Sequence, residues 1–408
     1  MKRITHTVIE HERIQSTERD RPFLKKFVPS IFTRSASGEF RASNYVGVLT
    51  LPSGRVLEIL PKVLMTTTVI DEQQETRELF LKMLRCYRGK PKTSKTTKLL
   101  SLRNFNMLSC FIRLFLNSLL QLVHEGLARQ YITEQDNLLY LKGRIEFKDH
   151  LRQNILNKAR FYSSFDELSE NRPVNRLIVT TLNKLQHWVG FSESRQLLND
   201  LQVMFSDVPA SQNIHADWNA HRIDRSMPHY TEIMRWIGLF LFGHGLATYS
   251  GQHSNIGLFF PMEKIFEDYV THCLRKHASE YRVRSQGPQR PLVSVGGEKM
   301  FYMKPDIVLE KQNHVLCVLD AKWKVVDSTN PNEKFQIAQS DLYQLYTYGE
   351  QYSSKTLVLI YPMNENFREC LRFQFTQGKP LICFPFDIRD TKSSVDRLMN
   401  EVIQSKVA

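Results

Sequence analysis

Met303-Lys-Pro-Asp-Ile-Val-Leu-Glu-Lys-Gln-Asn-His-Val-Leu-Cys-Val-Leu-Asp-Ala-Lys-Trp-Lys324 holds two β-like runs. The first is Asp306–Leu309, apolar and β-branched after the Pro-Asp. The second is Val315–Leu319, almost wholly apolar. The polar stretch Glu310-Lys-Gln-Asn-His314 between them reads as the turn of a buried hairpin. Facing residues of an antiparallel pair have a constant sum of positions. A turn centred near Gln312–Asn313 therefore sets Asp306 opposite Leu319 or Asp320. Period 2 along the second strand puts Asp320 and Lys322 on one face and Ala321 on the other.

Two carboxylates and an ammonium on one face make a poor core, because buried charge is costly unless paired or on a metal. They make a good holder for a hard divalent cation. Mg²⁺ takes few carboxylates, keeps waters and accepts phosphate oxygens in its remaining positions. A metal-activated water could attack a phosphodiester there, with Lys322 orienting it or stabilising developing charge. An Asp–Lys surface pair on an edge hairpin is the structural alternative.

Pro305-Asp306 followed by Asp320-Ala321-Lys322 resembles the PD-(D/E)xK nuclease motif. The flanking text is narrower and resembles the McrC family, the nuclease subunits of McrBC-type modification-dependent (5-methylcytosine) restriction systems. The resemblance runs along nearly the whole chain. It includes Leu57-Glu-Ile-Leu-Pro-Lys62, Leu141-Lys-Gly-Arg-Ile-Glu-Phe147, Phe165-Asp-Glu-Leu-Ser-Glu-Asn171 and Asn175-Arg176. Ile265-Phe-Glu-Asp-Tyr-Val270 precedes the hairpin and Asp341-Leu-Tyr-Gln-Leu-Tyr-Thr-Tyr348 follows it. The resemblance implies Asp306, Asp320 and Lys322 as catalytic residues and Mg²⁺ on the two aspartates. It implies that Glu267 approaches the metal from the first helix; a solvated helix flank is the alternative. Gln344 and Tyr348 share a helix face and match the Q-x-x-x-Y of RecB-type nucleases, which lies near DNA. Either can hydrogen-bond phosphate or a metal-bound water. Lys324 and Lys334 are further candidate phosphate contacts.

The net charge of +13 favours a polyanionic partner, since Lys and Arg replacing counterions on phosphates is a general source of nucleic-acid affinity. Hydrophobic content of 42% and charged content of 24% are ordinary for a globular chain of 408 residues with two or three domains. The six cysteines form no C-x-x-C, so neither zinc ribbon nor redox pair is suggested. His272, Cys273 and His277 do not present three ligands on one face. Met1-Lys-Arg-Ile-Thr-His6 lacks a signal peptide's apolar stretch. The most apolar helical stretch, Trp236–Phe242, is too short to span a bilayer. A cytoplasmic location, with no membrane partner, follows as an expectation.

The expected fold is a mixed α+β, multidomain chain. Residues 1–70 are β-rich, with Tyr45–Leu51 and Arg55–Leu60 forming a hairpin about Pro52-Ser-Gly54. By the resemblance this region engages a partner's ring, and Arg55 and Lys62 are candidate contacts. Residues 71–250 read as a helical middle. It has helices at Glu75–Tyr87, Asn104–Leu127, Val174–Val189, Leu197–Phe205 and Tyr230–Gly243. Arg88–Lys98 is a basic loop, and Ser169 or Asn171 caps the helix that opens at Pro173. Residues 251–408 are expected to hold the nuclease fold, a mixed sheet flanked by helices, with one helix over Asn332–Tyr352.

The chain has no G-x-x-x-x-G-K-[ST], so no P-loop nucleotide hydrolysis is expected of it. The resemblance assigns that work to a separate McrB-like AAA+ GTPase. The leading reading is therefore a Mg²⁺-dependent DNA endonuclease subunit driven by such a ring. A standalone repair or recombination nuclease is the second reading, and the large non-nuclease part argues against it. A non-catalytic activator of an AAA+ ring is the third. Intact Asp306, Asp320 and Lys322 argue against that one.

Overall fold

The computed structural model describes residues 5–62, 70–87, 106–190, 193–223, 227–242, 256–312 and 314–404. The basic stretch Arg88–Lys98 lies outside them. Strands β1 (Thr5–Ile9) and β2 (Arg13–Ile14) lead through helix α1 (Arg21–Lys25) to β3 (Phe32–Arg34), β4 (Phe40–Ala42), β5 (Tyr45–Thr50) and β6 (Val56–Leu60). Helices α2 (Ile70–Leu84) and α3 (Met107–Glu125) follow. Next come β7 (Gln130–Leu138), β8 (Arg144–Ile145), α4 (Phe147–Asn154) and β9 (Phe161–Ser169). Helices α5 (Pro173–Gln186), α6 (Glu193–Met204), α7 (Ile214–Ala220) and α8 (Tyr230–Phe242) complete the middle. The last third runs β10 (Gly257–Pro261), α9 (Met262–His277), β11 (Arg282–Ser285), β12 (Arg290–Val295), β13 (Glu298–Met303), β14 (Ile307–Lys311) and β15 (His314–Ala321). It ends with α10 (Gln339–Gln351), β16 (Thr356–Pro362), β17 (Leu371–Gln374), β18 (Pro380–Phe386) and α11 (Thr391–Gln404).

The hairpin β5–β6 turns at Gly54, whose φ of +81° is open to glycine at no steric cost. Its sheet has the order β1-β6-β5-β10. Strand β10 lies beyond residue 250, yet it pairs with β5 and closes this N-terminal sheet. Gly47 permits the pairing, since a Cβ there would sit 1.9 Å from the Leu258 carbonyl oxygen. Buried Glu58 anchors the sheet to the helices. It receives a two-pronged contact from Arg77 (2.8 and 2.7 Å) and the backbone N–H of Met107 (2.9 Å). The candidate contact Arg55 is committed to buried Asp20 at 2.8 Å.

The middle is not purely helical. It contains a three-stranded sheet of order β7-β9-β8, with Tyr131, Tyr140, Phe147 and Leu156 exposed. Asn106 caps α3 by accepting from the Ser109 N–H. At α5 neither Ser169 nor Asn171 caps. The N-cap is Arg172 without a side-chain bond, and Pro173 fills the first turn, where a missing N–H costs nothing. Helix α3, rather than Trp236–Phe242, has the length and apolarity to cross a membrane. Its apolar residues, Phe111, Phe115 and Leu119 among them, are instead buried in the core.

A six-stranded sheet of order β11-β14-β15-β16-β18-β17 forms the C-terminal part. Strands β15, β16 and β18 are parallel, and the flanking pairings are antiparallel. One face shares a core with α9, α11 and the N-terminal sheet, through Leu309, Leu319, Ile360, Phe266 and Val395. The other face packs Val308, Val318, Leu357 and Leu359 with Leu345 and Tyr348 of α10. The single helix expected over 332–352 is split. A 3-10 turn at Pro331–Gln336 precedes α10, with Lys334, Phe335 and Gln336 at positive φ.

Candidate active site

The hairpin register is Ile307↔Leu319, Val308↔Val318 and Leu309↔Cys317. One step further sets Asp306 opposite Asp320, which decides between the two alternatives left open by the sequence. The strands run longer than expected, since Glu310, Lys311 and His314 are paired, with a bulge between Leu309 and Glu310. Asp306 stays on the strand end because its Oδ2 accepts the Ala321 N–H at 3.0 Å.

Asp320 is buried, at 1% exposure. Its Oδ2 lies 2.6 Å from Lys322 Nζ, yet neither carboxylate oxygen accepts a hydrogen bond of ordinary geometry. Lys322 Nζ also donates to Gln344 Oε1 (3.0 Å), and Gln344 Nε2 donates to Tyr348 Oη (2.8 Å). Tyr348 Oη in turn donates to the Lys304 carbonyl (3.3 Å). The chain of contacts thus runs from Asp320 through Lys322 to two side chains one turn apart on α10, and returns to the segment that leads into Asp306.

Burial pushes the Asp306 carboxyl well above the ordinary aspartate range, and the charges of Asp320 and Glu267 push it further. Burial raises Asp320 too, partly offset by Lys322. For Lys322, burial is the largest influence and opposes its charge. Asp320, Asp306 and Asp341 together outweigh it and hold the ammonium above the usual lysine value. Two facing carboxylates repel each other when both are ionised, and a nearby cation is what favours the doubly ionised form.

Glu267 projects from α9, is buried, and is held by Lys264 at 2.7 Å. Among the described residues, no three His, Cys, Asp or Glu are grouped closely enough to hold a metal by themselves. The donor set is thus the Asp306–Asp320 pair, with Glu267 nearby but turned to Lys264. That matches Mg²⁺, which uses one or two carboxylates and fills its remaining positions with water and phosphate oxygen. Asp320 Oδ2 is engaged by the Lys322 ammonium, while its buried Oδ1 has no hydrogen-bond partner and is open to such a cation.

Lys324 is paired with buried Asp341 of α10 at 2.8 Å rather than left for phosphate. Lys334 is exposed on the turn before α10. Three contributors had no role read from the sequence. Lys264 is one, and Asp341, which only heads a stretch that carries the resemblance, is another. The third is Glu10, whose buried carboxylate accepts the Trp323 indole N–H (3.1 Å) and the Lys62 backbone N–H (3.1 Å). The Trp323 ring lies against Phe266, with centroids 5.4 Å apart. Residue 10 of the N-terminal sheet is thereby tied to the residue after Lys322.

The family model for the McrBC 5-methylcytosine restriction system component matches residues 40–362. That is most of the chain, and the chain belongs to this family. Two solved assemblies from Thermococcus gammatolerans contain chains of similar fold. One is a refined half-complex from a tetradecameric assembly of McrB AAA+ hexamers with bound McrC. The similar chain there is 20% identical with a TM-score of 0.74, and the match covers 98% of this chain and 100% of that one. The other is the cryo-EM structure of the McrBC complex, with 20% identity, a TM-score of 0.51, and coverage of 68% and 89%. At such identity the likeness is one of fold. No curated protein matches the chain.

Proposed function

We propose that this chain is the DNA-cutting subunit of a modification-dependent restriction complex and that it works with an McrB-like AAA+ GTPase ring. The observation that carries the cutting role is the pair of half-buried Asp306 and buried Asp320 facing across a hairpin, with Lys322 against Asp320. Family membership and the likeness to assemblies containing McrB hexamers with bound McrC support the partner. In this reading the six-stranded sheet with α9 and α10 is a PD-(D/E)xK nuclease fold.

Asp306 and Asp320 would hold Mg²⁺, with Glu267 close enough to bias it electrostatically. When bound, the ion supplies Lewis acidity to the scissile phosphate and lowers the pKa of the attacking water. Lys322, tethered between Asp320 and Gln344, is placed to orient that water or to meet charge developing on the phosphate. Gln344 holds the Lys322 ammonium and is itself braced by the Tyr348 hydroxyl. The chain's positive charge draws in the DNA backbone. With no P-loop, the chain leaves GTP hydrolysis to the ring.

The test is cleavage of a cytosine-methylated plasmid by the full-length chain with its ring partner and GTP. Mg²⁺ should give linear product, while EDTA or Ca²⁺ should leave the plasmid intact. Cutting in EDTA, or by the ring alone, would remove the assignment.

A further inference from the structure

Helix α10 has two polar faces. Asp341, Gln344, Leu345 and Tyr348 follow i, i+3, i+4, i+7 spacing toward the carboxylates. Gln339, Leu342, Tyr343 and Tyr346 repeat the spacing on another side. This second face is one wall of a cleft of about 660 Å³. The opposite walls come from the turn before α10 and from β17 and its continuation. Phe335 and Phe373 lie 5.8 Å apart at 57°, and Tyr346 and Phe375 lie 5.0 Å apart at 52°. All four rings are half-buried, so each keeps surface open to the cleft.

Three features of the cleft bear on its ligand. Its volume suits a small planar molecule. Its lining mixes aromatic faces with the side-chain amides of Gln339, Gln374 and Gln377, groups that stack on a flat ring and pair with its polar edge. It also includes Lys334 and no Asp or Glu, on a chain with net charge +13, so the field favours an anionic ligand. The backbone is strained where it builds the cleft. Lys334, Phe335 and Gln336 have φ of +53°, +56° and +61°, a conformation that residues with side chains rarely adopt. That turn brings the Phe335 ring against Phe373.

We propose that this cleft binds an unstacked nucleobase of the DNA substrate, stacked on the aromatic walls, with Lys334 against a neighbouring phosphate. This rests on the reading of the chain as a DNA nuclease and adds that the strand is opened beside the cutting site, across one helix from Lys322. Stacking on aromatic side chains is tolerant of sequence, because every base has a π-face, so the aromatic walls would accept any base and only the amides could discriminate.

The full-length protein in EDTA is titrated into two fluorescein-labelled duplexes, one regular and one with a single bulged 2-aminopurine. Binding should quench the 2-aminopurine several-fold and favour the bulged duplex. Tyr343→Ala, on an exposed side chain, and Tyr346→Leu, which keeps apolar bulk, should each weaken the bulged complex about tenfold and leave the regular duplex unchanged. Lys334→Ala should weaken it less. Unquenched 2-aminopurine, or variants that hold the bulged duplex like the wild type, would overturn the proposal. So would variants whose only defect is in stimulating the ring's GTPase, which would make the cleft a protein-docking site. Mg²⁺-dependent plasmid cleavage by the wild type is scored separately. Cleavage without a base signal defeats the cleft alone, and a base signal without cleavage defeats the nuclease reading alone.

Discussion

Lys322 is the residue on which the proposed chemistry turns. Its ammonium is shared between Asp320 and Gln344, two groups from different elements, so its position is fixed before substrate arrives. Lys322→Ala should lower the cleavage rate by about 10²- to 10³-fold, the usual loss for a donor aimed at developing charge. DNA affinity should stay within about twofold. Lys322→Arg should not restore the rate, because a planar fork cannot replace a compact ammonium in a pocket 2.6 Å from a carboxylate. Rate constants with and without saturating DNA separate the two effects, and an Arg variant that cuts normally would reduce Lys322 to a diffuse phosphate contact. Glu10 makes a different prediction. Burial raises its carboxyl to about 7, against the hydrogen bonds from Trp323 and Lys62 and the nearby Lys62 charge, while the charge of Glu263 adds to the rise. A raised carboxyl pKa means the folded state binds the proton more tightly than the unfolded chain. The group's contribution to stability is therefore full below about pH 4.5 and is lost as pH rises to about 7, by about 3 kcal/mol at most. The stability of wild type minus that of Glu10→Gln, from urea titrations, should fall between pH 5 and 7 and level off above. A flat difference would mean that Glu10 is not held as described. The approach of residue 306 to residue 319 or 320 was legible because hairpin arithmetic is local, and the register of the strands settles it on 320. Glu10 was not, because nothing within the sequence relates position 10 to position 323.

Among the elements, those with a one-sided apolar pattern were readable and those without were not. Helices α3 and α5 bury one face and show it in their spacing. Strand β7, Gln130–Leu138, is exposed along much of both sides, so it shows no alternation, and only its pairing with β9 makes it a strand. The break between residues 332 and 338 carries no glycine to announce it, since its left-handed positions are Lys, Phe and Gln. Strand β10 was readable neither as a strand nor as part of the N-terminal sheet, because its partner β5 lies some two hundred residues earlier. Two elements can be tested through their joints. Gly47→Ala places a Cβ on the Leu258 carbonyl and should cost about 3 kcal/mol or more by forcing β10 from β5. Arg77→Ala leaves the Glu58 carboxylate buried without its guanidinium and should cost about 3–5 kcal/mol. Both are measured by urea unfolding of the full chain. A loss below about 1 kcal/mol in either would contradict the packing described.

At the scale of the whole molecule, the N-terminal sheet, the helices and the six-stranded sheet share one apolar core, from Val46 and Phe111 to Phe266 and Val395. The division at residue 250, drawn from the change of helix and strand pattern, therefore passes through a common core, with β10 lying on the far side of the line from the sheet it completes. Ring engagement and cutting are proposed for the same body, and the Glu10–Trp323 bond joins the two ends of it. They should nonetheless separate by substitution, because Asp320 makes no ordinary hydrogen bond that the fold depends on. The measurement that bears on this most directly is one reaction with two readouts, DNA cleavage and GTP turnover. It contains the ring partner, methylated DNA, Mg²⁺ and either wild-type chain or Asp320→Ala. The account predicts that both chains raise GTP turnover equally and that only the wild type cuts. Cutting by Asp320→Ala at the wild-type rate would contradict it.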